Sequence, residues 1–532
     1  MFVDARQIPD GTRLSAAVCI VGTGPAGLSL ARVLSGAGHR VVMLEAGGLT
    51  TTAGSQEMAQ ADSVGAPFLP AHISRRRAFG GTSRWWAGFC RPLDPEVMGP
   101  RPWIDHSGWP VSLDALAPYY ANAQALLDIA EPVWDPLRWS EGIRGLLAPP
   151  EDETPLRPVN LYRAPQRFLG AKYREEFRSS STVDVLLHAH ATAVALNSSG
   201  TAVERIKVQT LRTGRHLIVE ARAFVLATGG IENARLLLAS NDVHNAGIGN
   251  GYDLVGRYLM NHPHLAAAWL HLPDNARAGQ RARSQRRVPE VQRVALSAAR
   301  AAAEQIGQFS AYLYPVSQSH HHPWTRSVGY SSLISLLGMN RVAAVQQDPG
   351  PLVGAIIKDI PGLLEDVSRK LANRFRNQPY LCAVAETEQV PNRDSRVMLS
   401  TRRDPFGQPI AAIDWRLTEQ DKRTMRRGIE ILDQSFQASG FMPAARESWL
   451  LNEDLAHYPG EDWAHHAGTT RMSTDPKQGV VDADCKVHGV GNLYVAGCSV
   501  FPTEGMAPPT MTIMALALRL GHHLADRMAA LA

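Results

Sequence analysis

A strand, a glycine-rich turn, a helix and a second strand follow one another near the start of this 532-residue chain. The apolar run 15–21 has the length and the β-branching of a buried strand. It leads into the turn 22–27 (GTGPAG) and then into a segment of helical spacing that stops at Gly38. The apolar run 40–44 closes at Glu45. This order and spacing predict a βαβ unit that binds a dinucleotide.

Each part of such a unit has a chemical reason. Glycines let the backbone approach a pyrophosphate, which then lies at the free N–H groups of the helix N-terminus. An acid about 20 positions past the glycines accepts hydrogen bonds from ribose hydroxyls, and Glu45 has that position. A purely structural glycine turn is the lesser alternative, because strand, helix and acid all stand in register.

The next part of the chain favours a flavin over a nicotinamide. Residues 184–196 predict one strand, and residues 205–210 with 216–220 predict a hairpin. The apolar strand 223–226 then runs into a second glycine turn and a helix. A strand meander that feeds a second strand–glycine–helix turn is typical of FAD-binding folds of the disulfide-reductase type. Simple NAD dehydrogenases alternate strands and helices instead.

A third glycine turn lies between these elements, in the sequence 80–86 (GGTSRWW). Its backbone N–H groups and hydroxyls could act as donors, and its two tryptophans could line an aromatic cofactor. A loop packed by core aromatic residues explains the same segment equally well.

The region 265–380 carries the weakest signals. Residues 363–376 predict an amphipathic helix. The triplet 320–322 (HHH) fits a solvated loop better than a metal site, because no carboxylate or cysteine lies nearby in the sequence. We predict no metal site. A capping-box pattern at Thr418 and a glycine at Gly440 predict the ends of a further helix.

Composition excludes several classes of protein. The chain is 45% hydrophobic and 20% charged, as in folded globular proteins, and its net charge of +4 is too small to suggest a nucleic-acid binder. Five scattered cysteines without a CxxC pair suggest neither a disulfide framework nor a zinc site. No run approaches the roughly 18 apolar residues of a membrane helix, and the first residues lack a secretory signal. We expect a soluble cytoplasmic protein with no nucleic-acid, membrane or obligate protein partner.

The C-terminal part contains three further motifs, at 465–469 (HHAGT), 499–503 (SVFPT) and 509–510 (PT), the last of which begins an apolar helix. With these motifs and the turns above, the chain resembles the glucose–methanol–choline (GMC) family of flavoprotein oxidoreductases. It looks most like the bacterial branch that includes sugar and polyol dehydrogenases. The resemblance covers most of the chain, apart from about 265–380.

The resemblance implies an α/β (α+β) fold, with a Rossmann-like FAD-binding domain of the GMC type and an interleaved substrate-binding domain. We expect residues 13–90, 181–262 and 464–532 to form the FAD-binding domain. Residues 91–180 and 263–463 would then form the substrate-binding domain.

The resemblance also implies which residues contact FAD. Some pyranose oxidases of the family attach the flavin through a histidine, and the matching position here is Trp85, so we expect non-covalent FAD. The cofactor-binding residues that we expect are Gly22, Gly24, Pro25, Ala26, Gly27, Glu45, Ala46, Gly80, Gly81, Thr82, Ser83, Trp85, Trp86, Ala193, Val194, Ala227, Thr228, Gly229, Gly497, Pro509, Thr510 and Met511.

In the same way, His465 matches the histidine of the family's HxxGT motif. It would take the hydroxyl proton of a small-molecule alcohol while hydride passes to flavin N5. An imidazole suits this role because its ordinary pKa lies near the working pH. His466 is a second catalytic candidate by adjacency, although a packing role explains it better. The final electron acceptor would be oxygen or a quinone-like compound.

One position departs from the family pattern. The family places a histidine or asparagine before the final Pro-Thr, to hydrogen-bond the substrate hydroxyl, and this chain has Pro508 there. In other enzymes the loss of one such donor costs roughly 2.7–4 kcal/mol. Glu504 or Arg471 could replace the donor. Alternatively, the chain could keep FAD and catalyse a net non-redox reaction, such as a lyase reaction or a cyclisation.

Overall fold

The computed structural model describes residues 1–66, 68–140, 154–271, 290–315, 349–358, 380–441, 443–446, 461–462 and 464–530, with a few single positions between them. The predicted helix within 363–376 lies mostly outside these residues, and the triplet 320–322 lies wholly outside them. The fold consists of two large β-sheets, a small third sheet and surrounding helices.

The strands of the first half of the chain are β1 (Phe2–Asp4), β2 (Arg13–Val21), β3 (Val41–Glu45), β4 (Ala61–Ser63), β5 (Phe89–Cys90), β6 (Leu156–Arg163), β7 (Val183–Leu187), β8 (His190–Leu196), β9 (Val203–Gln209) and β10 (His216–Leu226). Those of the second half are β11 (Pro263–His271), β12 (Glu290–Leu296), β13 (Phe309–Pro315), β14 (Tyr380–Thr387), β15 (Arg396–Arg403), β16 (Pro409–Asp414), β17 (Pro443–Arg446), β18 (Glu461–Asp462) and β19 (Leu493–Val495).

The α-helices are α1 (Pro25–Gly36), α2 (Ala53–Glu57), α3 (Ala71–Ser74), α4 (Pro95–Met98), α5 (Leu113–Leu126), α6 (Leu169–Lys172), α7 (Arg174–Ser179), α8 (Gly229–Ala239), α9 (Ala298–Glu304), α10 (Pro349–Lys358), α11 (Glu419–Ala438) and α12 (Thr510–Ala530). Short 3-10 helices occur at Ala5–Gln7, Gly81–Arg84 and Cys498–Val500.

The first sheet has the strand order β1-β7-β3-β2-β10-β9-β8, and β19 pairs with the end of β10. The strands β1, β7, β3, β2, β10 and β19 are parallel, whereas β9 and β8 form an antiparallel extension. The consecutive elements β2, α1 and β3 form the predicted βαβ unit, with Pro25 in the first turn of α1. The predicted α/β fold with a Rossmann-like unit is confirmed.

Two strand predictions are wrong in detail. Residues 184–196 form two strands rather than one, because His188 adopts a left-handed backbone with φ 60° between β7 and β8. There the N–H of His188 donates to Gly47 O and that of Ala189 to Glu45 O, so the chain turns at the end of β3. Conversely, the runs predicted at 216–220 and 223–226 are a single strand, because β10 pairs with β2 along almost its whole length.

The second sheet is antiparallel, with the order β17-β11-β14-β13-β12-β6-β5 and with β18 beside β11. The third sheet has the order β15-β16-β4. Helix α11 begins with a full capping box between Thr418 and Asp421, and Gly440 follows its end with φ 83°, as predicted. A single large cluster of buried apolar side chains runs through the first and second sheets.

All five cysteines are buried and none forms a disulfide. Within the part of the chain that the structure describes, no helix is both long enough and apolar enough to cross a membrane.

Candidate active site

The first glycine turn is shaped for close backbone approach. Gly22 has φ 106°, and a Cβ there would lie 2.5 Å from the carbonyl oxygen of Ala227, so only glycine fits. At Gly24, which precedes α1, a Cβ would meet nothing within 4 Å, and no side chain caps the helix. The space beside Gly24, at the start of α1, is therefore open. An anion such as the pyrophosphate of FAD fits this arrangement.

Glu45 ends β3 beside this turn and is buried. One carboxyl oxygen accepts a hydrogen bond from the N–H of Gly47 at 2.8 Å, and the other accepts from the hydroxyl of Thr23. Burial raises the pKa of Glu45, although these two hydrogen bonds oppose the shift. Each carboxyl oxygen has two lone pairs, so acceptor capacity remains beyond these bonds for a ribose hydroxyl. The neighbouring Ala46 is half-buried.

The third glycine turn, at 80–86, packs against the first one. The N–H of Gly80 donates to Thr23 O at 3.1 Å, and a Cβ at Gly81 would lie 2.9 Å from the Cα of Gly24. The hydroxyl of Ser83 donates to Gly80 O, and that of Thr82 accepts from the N–H of Arg76. The O–H of Ser83 is therefore already engaged within the protein, whereas that of Thr82 donates to none of the described residues.

The two tryptophans after this turn differ in their surroundings. Trp85 is 39% exposed, and the guanidinium of Arg76 lies 4.5 Å from its ring centroid. Trp86 is half-buried, and its indole N–H donates to the carbonyl of Arg167 at 2.6 Å. Of the two rings, Trp85 has the more accessible surface for a ligand.

The remaining cofactor candidates lie in three places. Ala227, Thr228 and Gly229 form the turn between β10 and α8, where the Ala227 N–H donates to Val21 O at 2.8 Å. Gly497 follows β19 with φ 121°, and Pro509 directly precedes α12, which begins with Thr510 and Met511. Ala193 and Val194 lie in β8, where the N–H of Val194 donates to Ser240 Oγ at 2.9 Å.

A short backbone pairing positions the HxxGT motif. Met260 and Ala467 exchange two hydrogen bonds of 3.0 Å, so the two chain segments run antiparallel. His262 lies two positions after Met260, and His465 lies two positions before Ala467. In the antiparallel pairing the two histidines therefore stand opposite each other, where side chains on the same face come into contact. Gly468 makes the approach possible, because it has φ 82° and a Cβ there would overlap the carbonyl of Tyr258.

The ring of His465 is held at one nitrogen and free at the other. Its Nδ1 lies 2.9 Å from Nδ1 of His262, and the two rings meet at 88° with their centroids 4.9 Å apart. Its backbone N–H donates to Oδ1 of Asn261 at 2.9 Å. Its Nε2 has no hydrogen bond to any residue that the structure describes. Burial, and then the neighbouring His262, lower the pKa of His465 to about 3.

His262 is fully buried between two carboxyl groups. Its Nδ1 lies 3.5 Å from Oε1 of Glu386, and its Nε2 lies 3.8 Å from Oε2 of Glu504. Burial and the charge of Arg293 lower the pKa of His262 to about 3. The ring is therefore neutral at ordinary pH, even though both carboxyl groups are close to it.

The two carboxyl groups differ in charge. Glu386 accepts hydrogen bonds of 2.8 Å from both Arg293 and the Tyr312 hydroxyl. Burial would raise the pKa of Glu386, but Arg293 holds it below the ordinary value. Glu504 has no hydrogen-bond partner among the described residues, and burial together with Glu388 raises its pKa far above the ordinary value. Arg293 thus favours the ionised form of Glu386, whereas burial favours the neutral form of Glu504.

Neither candidate replacement for the side chain missing at Pro508 hydrogen-bonds to His465. Glu504 lies on the Nε2 side of His262, whereas His465 contacts the Nδ1 side. Arg471 donates to the carbonyl of His106 at 2.7 Å, and its guanidinium lies 4.5 Å from the ring centroid of Tyr258. The side chain that contacts the ring of His465 is His262.

His466 has different surroundings. Its ring is buried and stacked on Phe68, with the centroids 5.1 Å apart. Its Nε2 has no hydrogen-bond partner among the described residues, and burial lowers its pKa to about 3. Its carbonyl oxygen packs against the start of α8, where a Cβ at Gly230 would overlap it.

The sequence assigned no role to His262, Asn261, Glu386, Arg293 or Tyr312. The last three lie in or next to the region with the weakest signals, and their strands place them side by side in the second sheet. The available signal was a charged or polar residue within an otherwise apolar strand, such as Glu386 in YLCAVAET. Such a residue must find a partner when it is buried.

Comparison with known proteins gives two family matches. Residues 17–245 match the family model described as FAD dependent oxidoreductase. Residues 391–517 match the family model described as GMC oxidoreductase, and this segment contains the HxxGT motif.

Individual relatives match over nearly the whole chain. The chain is 24% identical to 2-methyl-1,2-propanediol dehydrogenase of Mycolicibacterium austroafricanum, over 96% of this chain and 95% of that protein. It is 24% identical to paromamine 6'-oxidase of Streptomyces fradiae, over 94% of this chain and 90% of that protein.

Solved structures are similar in fold. A formate oxidase superposes with a TM-score of 0.58 at 16% identity, covering 99% of this chain and all of that chain (100%). Pyridoxine 4-oxidase from Mesorbium loti superposes with a TM-score of 0.57 at 16% identity, covering 95% of this chain and 98% of that chain.

The neutral carboxyl of Glu504 predicts a pH-dependent stability. Folding raises the pKa of Glu504. Its contribution to the free energy of unfolding is therefore fully present below the unfolded pKa and is lost as the pH rises through the folded pKa. We expect Glu504→Gln to unfold roughly 2–4 °C above the wild type at about pH 9 and at nearly the same temperature at about pH 5.

The measurement is thermal unfolding across this pH range, with Glu220→Gln as the matched control, because Glu220 is exposed beside Arg13. If the unfolding temperatures of the wild type and Glu504→Gln changed with pH in the same way, the raised pKa of Glu504 would be contradicted.

Proposed function

We propose that His465 is the general base of this chain, which belongs to the GMC oxidoreductases and is an FAD-dependent oxidoreductase that acts on CH–OH donors. The observation that supports this proposal is the hydrogen bonding of the two ring nitrogens of His465. Nδ1 is fixed against His262, and Nε2 is free of hydrogen bonds to the described residues. A small alcohol can therefore present its hydroxyl to Nε2.

We propose that the cofactor lies against the three glycine turns. The open side of Gly24 and the uncapped start of α1 support pyrophosphate binding there, and the spare acceptor capacity of Glu45 supports ribose binding. The bound flavin supplies the hydride acceptor, N5. Trp85 stands where a covalent attachment would need a histidine, so we propose that FAD binds without a covalent bond.

The protein's own chemistry is a proton transfer to an imidazole. The pKa of His465 is lowered to about 3, so the ring is neutral and Nε2 has a lone pair for the hydroxyl proton, although the same shift makes it a weaker base than a free imidazole. A positioned base of this kind contributes roughly 10²–10⁴ to a rate. Glu386 opposes the lowered pKa, so its negative charge stabilises the imidazolium that forms.

We assign His466 to packing. Its buried ring stacks on Phe68, and its main chain fills the space left by Gly230. A catalytic role would require a ring accessible to substrate, and His466 is only 5% exposed.

The substrate that we propose is a small organic molecule with an alcohol group. The names of the two relatives that match over nearly the full chain refer to a diol and an aminoglycoside, which supports this class. The final electron acceptor would be oxygen or a quinone-like compound. We further propose the two-domain division given above, which broadly follows the two large sheets.

Replacement of His465 tests the role of the base. We expect His465→Ala to bind FAD normally and to reduce it at least about 10²-fold more slowly, because the hydroxyl proton then has no acceptor. The measurement is anaerobic bleaching of the flavin by the probe alcohols 2-methyl-1,2-propanediol and paromamine. His522→Ala, on the exposed side of α12, is the matched control.

Undiminished flavin reduction by His465→Ala would contradict the role of the base. Product formation while the wild-type flavin stays oxidised under anaerobic conditions would favour the alternative, a net non-redox reaction suggested by Pro508.

Acid precipitation tests how the flavin is bound. Because Trp85 cannot form the covalent bond made by a histidine, we expect all flavin absorbance to stay in the supernatant when the purified holoenzyme is precipitated. Flavin that remains with the protein pellet after washing would overturn non-covalent binding.

A further inference from the structure

The ring of His262 is the contact of His465 that alcohol oxidation alone does not explain. It is fully buried, and it presents Nδ1 to Nδ1 of His465 at 2.9 Å. Since a buried polar ring pays a desolvation cost, its contact with the proposed base calls for a physical reason.

We propose that His262 is a positioning residue that fixes the tautomer of His465. Nδ1 of His262 accepts a hydrogen bond from Nδ1–H of His465, which leaves Nε2 of His465 with a free lone pair for the substrate hydroxyl. This inference rests on the proposed function, because it assumes that His465 is the base.

Proton counting gives the direction of the bond. A neutral imidazole carries one N–H, and a base that works through Nε2 must carry it on Nδ1. Two nitrogens 2.9 Å apart share one proton, so Nδ1 of His262 is the acceptor. The proton of His262 then lies on Nε2, on the side of Glu504.

The reaction balances within this arrangement. The substrate O–H bond breaks, and its proton forms a new N–H bond at Nε2 of His465. The Nδ1–H of His465 remains hydrogen-bonded to His262 throughout. The step needs no co-reactant beyond the alcohol and the cofactor of the proposed function.

The charged neighbours of the pair fit this direction. Glu386, 3.5 Å from Nδ1 of His262, would by itself draw a proton to that nitrogen. However, its two oxygens already accept from Arg293 and Tyr312, and Arg293 carries the opposite charge. Glu504, whose pKa is raised by burial, lies 3.8 Å from Nε2 of His262, which is beyond hydrogen-bond distance.

The backbone holds both rings in place. Oδ1 of Asn261 accepts from the N–H of His465 at 2.9 Å and from that of His262 at 3.0 Å. The paired hydrogen bonds between Met260 and Ala467 fix the register of the two segments. Because the backbone holds His262 firmly, His262 keeps the ring of His465 in one orientation. The orienting residue of a nucleophile–base–orienter triad acts in the same way.

The test reads the tautomer by NMR on FAD-loaded protein labelled with ¹⁵N-histidine. The His465 signals are identified by their loss in His465→Gln, and those of His466 are the internal control, because its ring stacks on Phe68 instead. We expect His465 of the wild type to carry its proton on Nδ1. In His262→Phe we expect the proton to move to Nε2, with flavin reduction by the probe alcohols slowed about 10²-fold.

His262→Asn is the conservative variant, because its amide oxygen can accept from Nδ1–H of His465. We expect it to keep the wild-type tautomer and a reduction rate within about tenfold of the wild type. Flavin content and thermal unfolding separate a change of tautomer from a general loss of structure.

A wild-type His465 protonated on Nε2 would overturn the proposal, and so would an unchanged tautomer in His262→Phe. If His262→Phe does not fold, the tautomer of His465 in the wild type and in His262→Asn still tests the proposal. If His465→Ala reduces the flavin normally, the proposed function itself fails. If His465→Ala is inactive but His262→Phe keeps the tautomer, only the positioning role fails.

Discussion

The two backbone hydrogen bonds between Met260 and Ala467 are the constraint on which the site depends. They join a segment that leads into the second sheet to the loop that carries the HxxGT motif, and their register places His262 opposite His465. Gly468 has the positive φ and the missing Cβ that this approach requires. The glycine of the motif therefore serves the histidine three positions before it, by bringing a second histidine within hydrogen-bond distance.

Around this pair the protein separates charged from neutral groups. Arg293 and Tyr312 lower the pKa of Glu386 and so favour its ionised form, whereas burial and nearby acids raise the pKa of Glu504 and so favour its neutral form. Both histidines stay neutral because burial lowers their pKa. An ionised carboxylate near a neutral imidazole pair can stabilise a positive charge that appears only when a proton arrives. Such an arrangement suits a base more than a permanent ion pair.

The sequence predicted the elements whose signals are local. The strand, glycine turn and helix around Gly22 were predictable because the turn, the apolar periodicity and Glu45 follow one another closely. The helix after Thr418 was predictable from its capping box. Residues 184–196 were not, because the break at His188 serves pairing with two different neighbours, β3 and β9, which lie apart in the sequence.

The residues that surround His465 also could not be predicted from the sequence. His262 and Glu386 lie 203 and 79 positions before His465, so their contact depends on sheet register and not on spacing. The HxxGT motif pointed to His465 but not to the residues that contact its ring. Pro508 suggested that a donor is missing, while the structure puts a second histidine behind the base.

We propose that His465 works as a neutral base whose pKa lies far below the ordinary value. The most direct measurement is the anaerobic rate constant of flavin reduction by a probe alcohol as a function of pH. With the pKa of His465 at about 3, we expect a rate constant that stays level from about pH 8 down to about pH 5. A fall of about thirtyfold over that range, with a midpoint near the ordinary histidine pKa of about 6.5, would contradict it.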